Sequence, residues 1–202
     1  TLRVTGPVGR GALVKTGPGC ATFDHAADFF AGGVSVQAGL LAFPDASIFA
    51  DAALGDTTLA LGAGTLALGR AGAAPAALVP SFVLQAASEA DAAVVQCASD
   101  VVLAAPSAAH GCLVKRGPGA LTLEAAGTCS LSTHAGADVK DTPPAAAPIV
   151  FDPFGQPPSA GYSSLTVAEG DLVLRGAARA RYEMAGRGAV YVGMPVPDIA
   201  RP

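Results

Sequence analysis

One nine-residue phrase occurs twice in this chain, and the repetition restricts what the chain can fold into. Residues 11–19 read GALVKTGPG and residues 111–119 read GCLVKRGPG, with seven of the nine positions identical and an offset of 100 residues. Internal repeats are typical of solenoids and arrays, in which each unit buries its apolar face against a neighbouring unit. The repetition therefore favours a stacked architecture for the 202-residue chain.

Each phrase is followed by a second matching segment. This segment reads VSVQAGLLAF at residues 34–43 and LTVAEGDLVL at residues 165–174, an offset of 131 residues. The larger offset predicts a loop insertion over about 124–160, in a stretch rich in Pro and Ala. Insertions in a solenoid leave the stack as loops on one face. We therefore expect one domain over residues 1–202, with repeat copies near 11–43 and 111–174.

Short runs that alternate between inward and outward positions cover much of the chain. Period-two alternation over many short segments indicates β-strands, and the Asn-Gly and Asp-Gly turns typical of hairpins are absent. We therefore predict an all-β fold, a parallel β-helix (β-solenoid), and prefer it to a β-sandwich. The runs lie at residues 13–15, 34–36, 41–43, 47–49, 58–61, 65–68, 82–84, 94–97, 101–103, 113–115, 121–123, 165–167, 172–174 and 190–192.

The two-part repeat resembles the autotransporter-associated β-strand repeat, also called the passenger-associated transport repeat. That family follows the approximate pattern L-x-K-x-G-x-G-T-L-x-L and then T-x-V-x-x-G-x-L-x-L. The resemblance implies a right-handed parallel β-helix in a secreted or surface-exposed bacterial protein. The matching positions that we expect to be structural are Leu13, Lys15, Gly17, Gly19, Gly39, Leu113, Lys115, Gly117, Gly119 and Gly170.

The repeated lysines, Lys15 and Lys115, are interpreted as structural residues. We expect each side chain to point outward, with its stem covering the neighbouring turn and its ammonium group in water. Gly17 and Gly19, which flank Pro18, are expected to form a corner whose dihedral angles would strain other residues.

The four cysteines allow two interpretations. The first is a pair of disulfides, Cys20–Cys97 and Cys112–Cys129, since the 17 residues between Cys112 and Cys129 are close to one solenoid turn. The second, equally favoured, is that they are small buried thiols in the core. None of them forms a CxxC pair, and no His lies at a metal-ligand spacing from them, so the sequence predicts no metal site.

Composition and missing motifs argue against several classes of function. Charged residues make up 14% of the chain, the net charge is −4, and the basic residues are scattered, which disfavours nucleic acid as a partner. No uninterrupted apolar run is long enough to span a membrane as a helix. The Gly-rich start has Ala12 where a phosphate-binding loop needs Lys, and no G-x-S-x-G turn exists. We expect no catalytic residue and no cofactor.

The resemblance to the autotransporter-associated repeat, together with these missing motifs, implies a non-catalytic structural protein of the bacterial cell surface, with an extracellular or cell-surface location. The subunit or segment is expected to stack end to end into a filament or surface layer, by self-association or against neighbouring segments of a longer chain. An alternative is an adhesin or glycan-binding stalk, which would bind a surface glycan or protein through a loop carrying Phe151, Phe154 and Tyr162. A β-helix polysaccharide lyase is a third, less favoured, alternative.

Overall fold

The chain folds as a parallel β-solenoid. The computed structural model describes residues 1–25, 30–85, 92–105, 109–110, 112–126, 128–132, 164–176, 181–184 and 189–192. Within these ranges the chain forms β-strands and two short 3-10 helices, and no α-helix. Every pairing between described strands is parallel. The predicted all-β, stacked-strand fold is confirmed.

Seventeen strands are described. In chain order they are β1 Leu2–Val4, β2 Leu13–Lys15, β3 Cys20–Phe23, β4 Val34–Phe43, β5 Thr58–Leu68, β6 Ala76–Ala77, β7 Ser81–Gln85, β8 Ala92–Cys97, β9 Val101–Ala104, β10 Ala109–His110, β11 Cys112–Arg116, β12 Leu121–Ala125, β13 Thr128–Ser132, β14 Ser164–Val167, β15 Leu172–Gly176, β16 Arg181–Met184 and β17 Ala189–Val192.

The strands form three faces around the solenoid axis. Face 1 contains β2, the first halves of β4 and β5, and then β7, β10, β13 and β16. Face 2 contains β1, β3, the second halves of β4 and β5, and then β8, β11, β14 and β17. Face 3 contains β6, β9, β12 and β15. Because β4 and β5 run through the corner between faces 1 and 2, these two faces belong to one continuous sheet.

Residues in matching positions stack in columns along the axis. Inner column 1 lies on face 1, and its successive strand partners are Lys15, Val36, Leu61, Leu84, Ala109, Leu131 and Met184. Inner column 2 lies on face 2, and its successive strand partners are Leu2, Ala21, Leu41, Leu66, Val95, Lys115, Val167 and Val192. The middle members of both columns are fully buried, and their chain neighbours are more exposed along β4 and the second half of β5. This is the burial pattern expected of strands with one face in the core.

The core changes in composition along the axis. Near the first strands four phenylalanine rings pack together: Phe43 stacks on Phe23 and makes edge-to-face contacts with Phe30 and Phe49. Farther along, the buried positions are filled by Leu, Val and Ala. The low aromatic content of the chain, 5%, therefore reflects a thin core whose layers are closed by aliphatic side chains.

Two 3-10 helices, Ala46–Phe49 and Ala52–Leu54, occupy the place on face 3 that comes before β6. Each begins after an aspartate whose carboxylate accepts a backbone N–H: Asp45 from Ser47, and Asp51 from Ala53. The expected strand at 47–49 is therefore wrong, because the Asp45 side chain satisfies the first free N–H of a helical turn. All the other predicted runs lie within strands.

The predicted loop insertion falls mostly outside the described residues. β12 extends to Ala125 and β13 occupies Thr128–Ser132, both within the first part of the 124–160 range. Residues 133–163 lie outside the described ranges, and so do Phe151, Phe154 and Tyr162. β13 lies on face 1 and β14 on face 2, so the insertion enters the chain between these two faces.

Stability should depend on the inner columns far more than on the outward positions between them. Leu66 is fully buried in inner column 2, and replacing it with Ala leaves a cavity, so Leu66→Ala should lower the free energy of unfolding by about 2–5 kcal/mol. The neighbouring outward residue gives the control, since Thr65→Ala should change it by less than about 0.5 kcal/mol. Urea denaturation followed by circular dichroism measures both, and equal effects would contradict the column assignment.

Candidate functional site

The repeated phrase builds a distinct structural site in both copies, which we call the lysine corner. The first lysine corner consists of Lys15, Gly17, Ala38 and Gly39, and the second consists of Lys115, Gly117, Glu169 and Gly170. In each, the lysine and the first glycine belong to one rung, and the other two residues belong to the next rung. The site therefore joins two turns of the solenoid.

In the first corner the Lys15 ammonium group is held by backbone oxygens. Its Nζ donates to the carbonyl oxygen of Thr16 at 2.9 Å, of Gly17 at 2.7 Å and of Ala38 at 3.0 Å. The first two acceptors lie in its own turn and the third lies in the next. Three donors on an ammonium group match three acceptors, so this lysine satisfies carbonyls that the bend of the chain takes out of the strand ladder.

The second corner has the same arrangement in a buried setting. Lys115 Nζ donates to the carbonyl oxygen of Gly117 in its own turn and to that of Glu169 in the next turn, the latter at 2.9 Å. The Lys115 side chain is fully buried. The expectation of an outward lysine with its ammonium group in water is therefore wrong for Lys115: the corner carbonyls replace the water that a buried ammonium group loses. Lys15 is half-buried and makes the same kind of contacts.

Steric constraints explain why a glycine occupies the position that faces each lysine. Gly39 and Gly170 have φ values of 73° and 68°, in the left-handed region that favours glycine. A Cβ on either residue would lie 2.6 Å from the lysine Nζ and would also collide with backbone oxygens of the preceding turn. The glycine of the V-x-x-G segment after each phrase is therefore required because two turns approach closely at that point.

The second corner also contains a carboxylate that the first lacks. Glu169 Oε2 accepts the backbone N–H of Gly117 at 3.1 Å, where the first corner has Ala38 at the equivalent position. Burial lowers the pKa of Lys115 because it penalises the ammonium form, and the acidic groups of Cys97, Glu169, Asp171 and Asp100 oppose that shift. The surrounding acids thus help to keep a buried lysine charged.

The two copies share a register but lie on different faces. Lys15 pairs with Val36 as Lys115 pairs with Val167, and Ala21 pairs with Leu41 as Leu121 pairs with Leu172. However, Lys15 belongs to face 1 and Lys115 to face 2. The repeat therefore preserves the contact between consecutive turns and shifts it by one face around the axis.

The remaining repeat residues support these corners. Leu13 and Leu113 occupy equivalent inward positions two residues before the lysines, half-buried in the first copy and buried in the second. Gly17 and Gly117 both have positive φ. Gly119 lies against the backbone of Ser99 in the preceding turn, whereas nothing lies within 4 Å of a Cβ placed on Gly19. The second corner is thus packed on both sides and the first on one side.

The cysteines do not follow the favoured pairing. Cys20 and Cys97 are both free thiols, so the expected Cys20–Cys97 disulfide is wrong. β4 and β5 lie between their strands, which places them three strand spacings apart, about 14 Å. A disulfide requires Cα atoms within about 7 Å. The side chains of Cys112 and Cys129 lie outside the described residues, so the second pairing stays a prediction.

Cys97 belongs to the environment of the second corner, which the sequence pattern did not indicate. The thiol is fully buried, and burial raises its pKa from the ordinary 9.0 to about 11, an effect partly opposed by the nearby Lys115 charge. The carbonyl oxygen of Cys97 accepts the N–H of Gly119 at 3.0 Å. Only the chain fold brings Cys97 next to the repeated phrase, which begins 14 residues farther along at Gly111.

The described part of the chain also bears on metal binding, concave surface and membrane crossing. Within the described ranges, no group of three or more His, Cys, Asp or Glu residues is placed to bind a metal ion. A shallow hollow lies between the turn at 71–75 and the corner at 98–100, where the Asp100 carboxylate accepts the N–H of Ala120 at 2.9 Å. The described residues include no helix with the length and apolarity needed to cross a membrane.

Comparisons with known proteins leave the interpretation to the structure itself. No family model, curated protein or solved structure matches this chain. What the geometry shows is a pair of ammonium groups used as cross-links between turns. All the hydrogen-bond partners found for these two ammonium groups are backbone carbonyls, an arrangement suited to fixing the register of neighbouring turns.

Steric exclusion at the lysine corner should be separable from the cost of a positive φ. Gly170→Ala should lower the free energy of unfolding by at least about 2 kcal/mol more than Gly72→Ala, because both have positive φ but a Cβ at Gly72 meets nothing within 4 Å. Gly72→Ala alone should cost about 1–2 kcal/mol for the left-handed conformation. Chemical denaturation of both variants tests this, and equal losses would mean that the close approach of the two turns contributes nothing.

The buried thiol should give the fold a definite pH dependence. As pH rises from 9.0 towards 11, Cys97 ionises in the unfolded chain while it stays protonated in the folded one, so the free energy of unfolding should fall. The full loss for a shift of this size is about 3 kcal/mol. The difference in unfolding free energy between the wild type and Cys97→Ala isolates this effect, and a difference that does not change over this pH range would contradict it.

Proposed function

We propose that this chain is a non-catalytic structural protein of the bacterial cell surface. In this proposal it is a β-solenoid subunit or segment that stacks end to end into a filament or surface layer, outside the cell or on its surface. The observation that carries the proposal is the unbroken register of inner columns 1 and 2, which run through every described strand of faces 1 and 2.

A stack of parallel strands is open at both ends. Each edge strand has unpaired N–H and C=O groups on its outer side, and such an edge is a template for another strand of the same direction. Among the described strands, β1 and β2 form the first edge, and β15, β16 and β17 form the last. On faces 1 and 2 the same register columns reach both edges, so β16 and β17 of one copy match β2 and β3 of another in strand direction and register, whereas β15 on face 3 has no described strand to match there.

The last rung of face 3 also leaves apolar surface in an inward column. Leu103, Leu123 and Leu174 are successive partners, and the first two are fully buried. Leu174, the last of the three, is 42% exposed. An inward leucine that remains open at the end of a column is the surface that one more rung would bury.

The lysine corners support a mechanical role. Each corner uses a charged side chain to tie one turn to the next through backbone oxygens. These contacts recur at the junctions between turns. They are the type of contact that gives a rod length and stiffness.

The proposal is tested by examining the purified 202-residue chain over a range of concentrations. Electron microscopy should show filaments or sheets with an axial spacing of about 4.8 Å, the distance between neighbouring strands. Sedimentation velocity should show growth with concentration. Isolated short rods at every concentration would contradict end-to-end stacking and would favour the adhesin or glycan-binding stalk instead.

A matched pair of variants locates the contact at the last rung. Leu174→Asp places a charge in the inward column and should suppress growth, because stacking would bury that charge without a partner. Val173→Asp alters the adjacent residue, which has similar exposure (37%) but points outward, and it should leave growth unchanged. Equal behaviour of the two variants would show that the inward column does not continue across the junction.

A further inference from the structure

The two turns that meet at each lysine corner have corners of unequal length. In the first copy four residues lie between Lys15 and Cys20, whereas three lie between their strand partners, Val36 and Leu40. In contrast, β4 and β5 pair through the same corner with no change of register. The corner of the phrase thus contains one residue more than the corner of the turn that follows it.

The second copy has the same one-residue difference. Five residues lie between Lys115 and Leu121, whereas four lie between their strand partners, Val167 and Leu172. The preceding turn, which pairs through β8 and β9, also has five residues at this corner. Because the corner of the phrase is longer than that of the next turn, its backbone groups cannot all find partners there.

The glycine of the next turn lies opposite the surplus. A Cβ on Gly39 would collide with the carbonyl oxygens of both Gly17 and Gly19, and Gly170 approaches the equivalent pair of glycines in the same way. In both copies the lysine Nζ lies 2.6 Å from the position of that Cβ. The ammonium group therefore occupies the space on which the surplus carbonyl oxygens converge, and the absence of a glycine side chain keeps that space free.

The oxygens around the ammonium group are a donor set for a cation of single charge. In the first corner three carbonyl oxygens lie between 2.7 and 3.0 Å from Lys15 Nζ. These distances are longer than the bonds that oxygen ligands make to calcium, about 2.3–2.6 Å, or to magnesium, about 2.0–2.1 Å. Uncharged backbone carbonyls are also the groups that replace the water shell of a monovalent cation in ion channels. An ammonium ion has the charge, the size and the N–H donors that this set of oxygens requires.

We infer that each lysine corner is a binding site for a primary ammonium ion, and that the lysine of the chain is its tethered ligand. The phrase encodes the site in its longer corner and the ligand in its lysine. The side-chain stem raises the effective concentration of the ammonium group at the site, whereas the carbonyl oxygens supply the affinity. The inference goes beyond the proposed function and does not depend on it.

Removal of the tether tests the inference. Lys115→Ala deletes the ammonium group and three methylene groups, which together correspond to a propylammonium ion. Propylammonium chloride should stabilise this variant, and at about ten times its dissociation constant it should raise the ratio of folded to unfolded chain about tenfold. Urea denaturation followed by circular dichroism, at constant ionic strength, measures this ratio.

A control ligand and a control variant isolate the effect of the charge. Propan-1-ol has the same carbon chain as propylammonium but no charge, and it should leave the stability of Lys115→Ala nearly unchanged. Leu66→Ala also removes buried side-chain atoms but leaves both lysine corners intact. Propylammonium should change the folded-to-unfolded ratio of Leu66→Ala no more than it changes that of the wild type.

The first corner provides a second measurement that does not require Lys115→Ala to fold without ligand. Lys15 is half-buried, so Lys15→Ala should be the milder variant, and its corner is accessible to a ligand from solvent. The same titration with propylammonium and propan-1-ol applies to it. If Lys115→Ala is unfolded in the absence of ligand, propylammonium should restore its β-sheet circular dichroism spectrum.

The outcomes decide between the charge and the stem of the lysine. Stabilisation of either alanine variant by propylammonium, but not by propan-1-ol, supports an ammonium site. Equal stabilisation by the two compounds overturns it, because the corner would then bind the carbon chain alone. Failure of propylammonium to stabilise both Lys15→Ala and Lys115→Ala also overturns it.

Discussion

The burial of each rung against the next is the constraint on which this structure depends. A single turn of the chain cannot enclose its apolar side chains, so every inward position must match the positions before and after it. Inner columns 1 and 2 show how strictly this is obeyed, since their middle members, such as Val36 and Leu66, are fully buried. A slip of one residue in any strand would turn its leucines and valines outward.

The corners present a different problem, because a bend removes backbone groups from the strand ladder while neighbouring turns remain in contact. The lysine corners solve it by bringing a flexible cation to the free oxygens. Lys15 and Lys115 each bond carbonyls of their own turn and of the next. The facing glycines, Gly39 and Gly170, keep that space open. At each corner the lysine charge, the positive φ of the facing glycine and the close approach of two turns therefore depend on one another.

Much of the fold could be predicted from the sequence because its main determinants are periodic. Alternation located eleven of the seventeen described strands, and the alignment of 34–43 with 165–174 showed which segments follow the repeated phrase in equivalent positions. The six strands outside the predicted runs are only two to five residues long, and strands this short show little alternation of their own: β1, β3, β6, β10, β13 and β16. The segment 47–49 was misassigned since the side chain of Asp45, rather than its apolar pattern, sets its conformation.

The errors at the candidate site have a common physical cause. The surface position expected for Lys115 followed from the usual cost of burying a charge, but the acceptors that remove this cost are Gly117 in its own turn and Glu169, which is 54 residues away in the next turn. The Cys20–Cys97 pairing failed because separation along the chain does not give separation along the solenoid axis. In both cases the outcome depends on how residues of different turns lie relative to one another. The order of residues along the chain does not show this directly.

The shift of the lysine corner from one edge of the rod to the next affects how the molecule presents itself to its surroundings. Since the offset of 100 residues is not a whole number of turns, the two copies of the phrase face different directions around the axis. A flat partner lying along one side of the rod would meet only one of them. Because Lys15 is half-buried and Lys115 is buried, sequence repetition in this chain does not produce a striped surface.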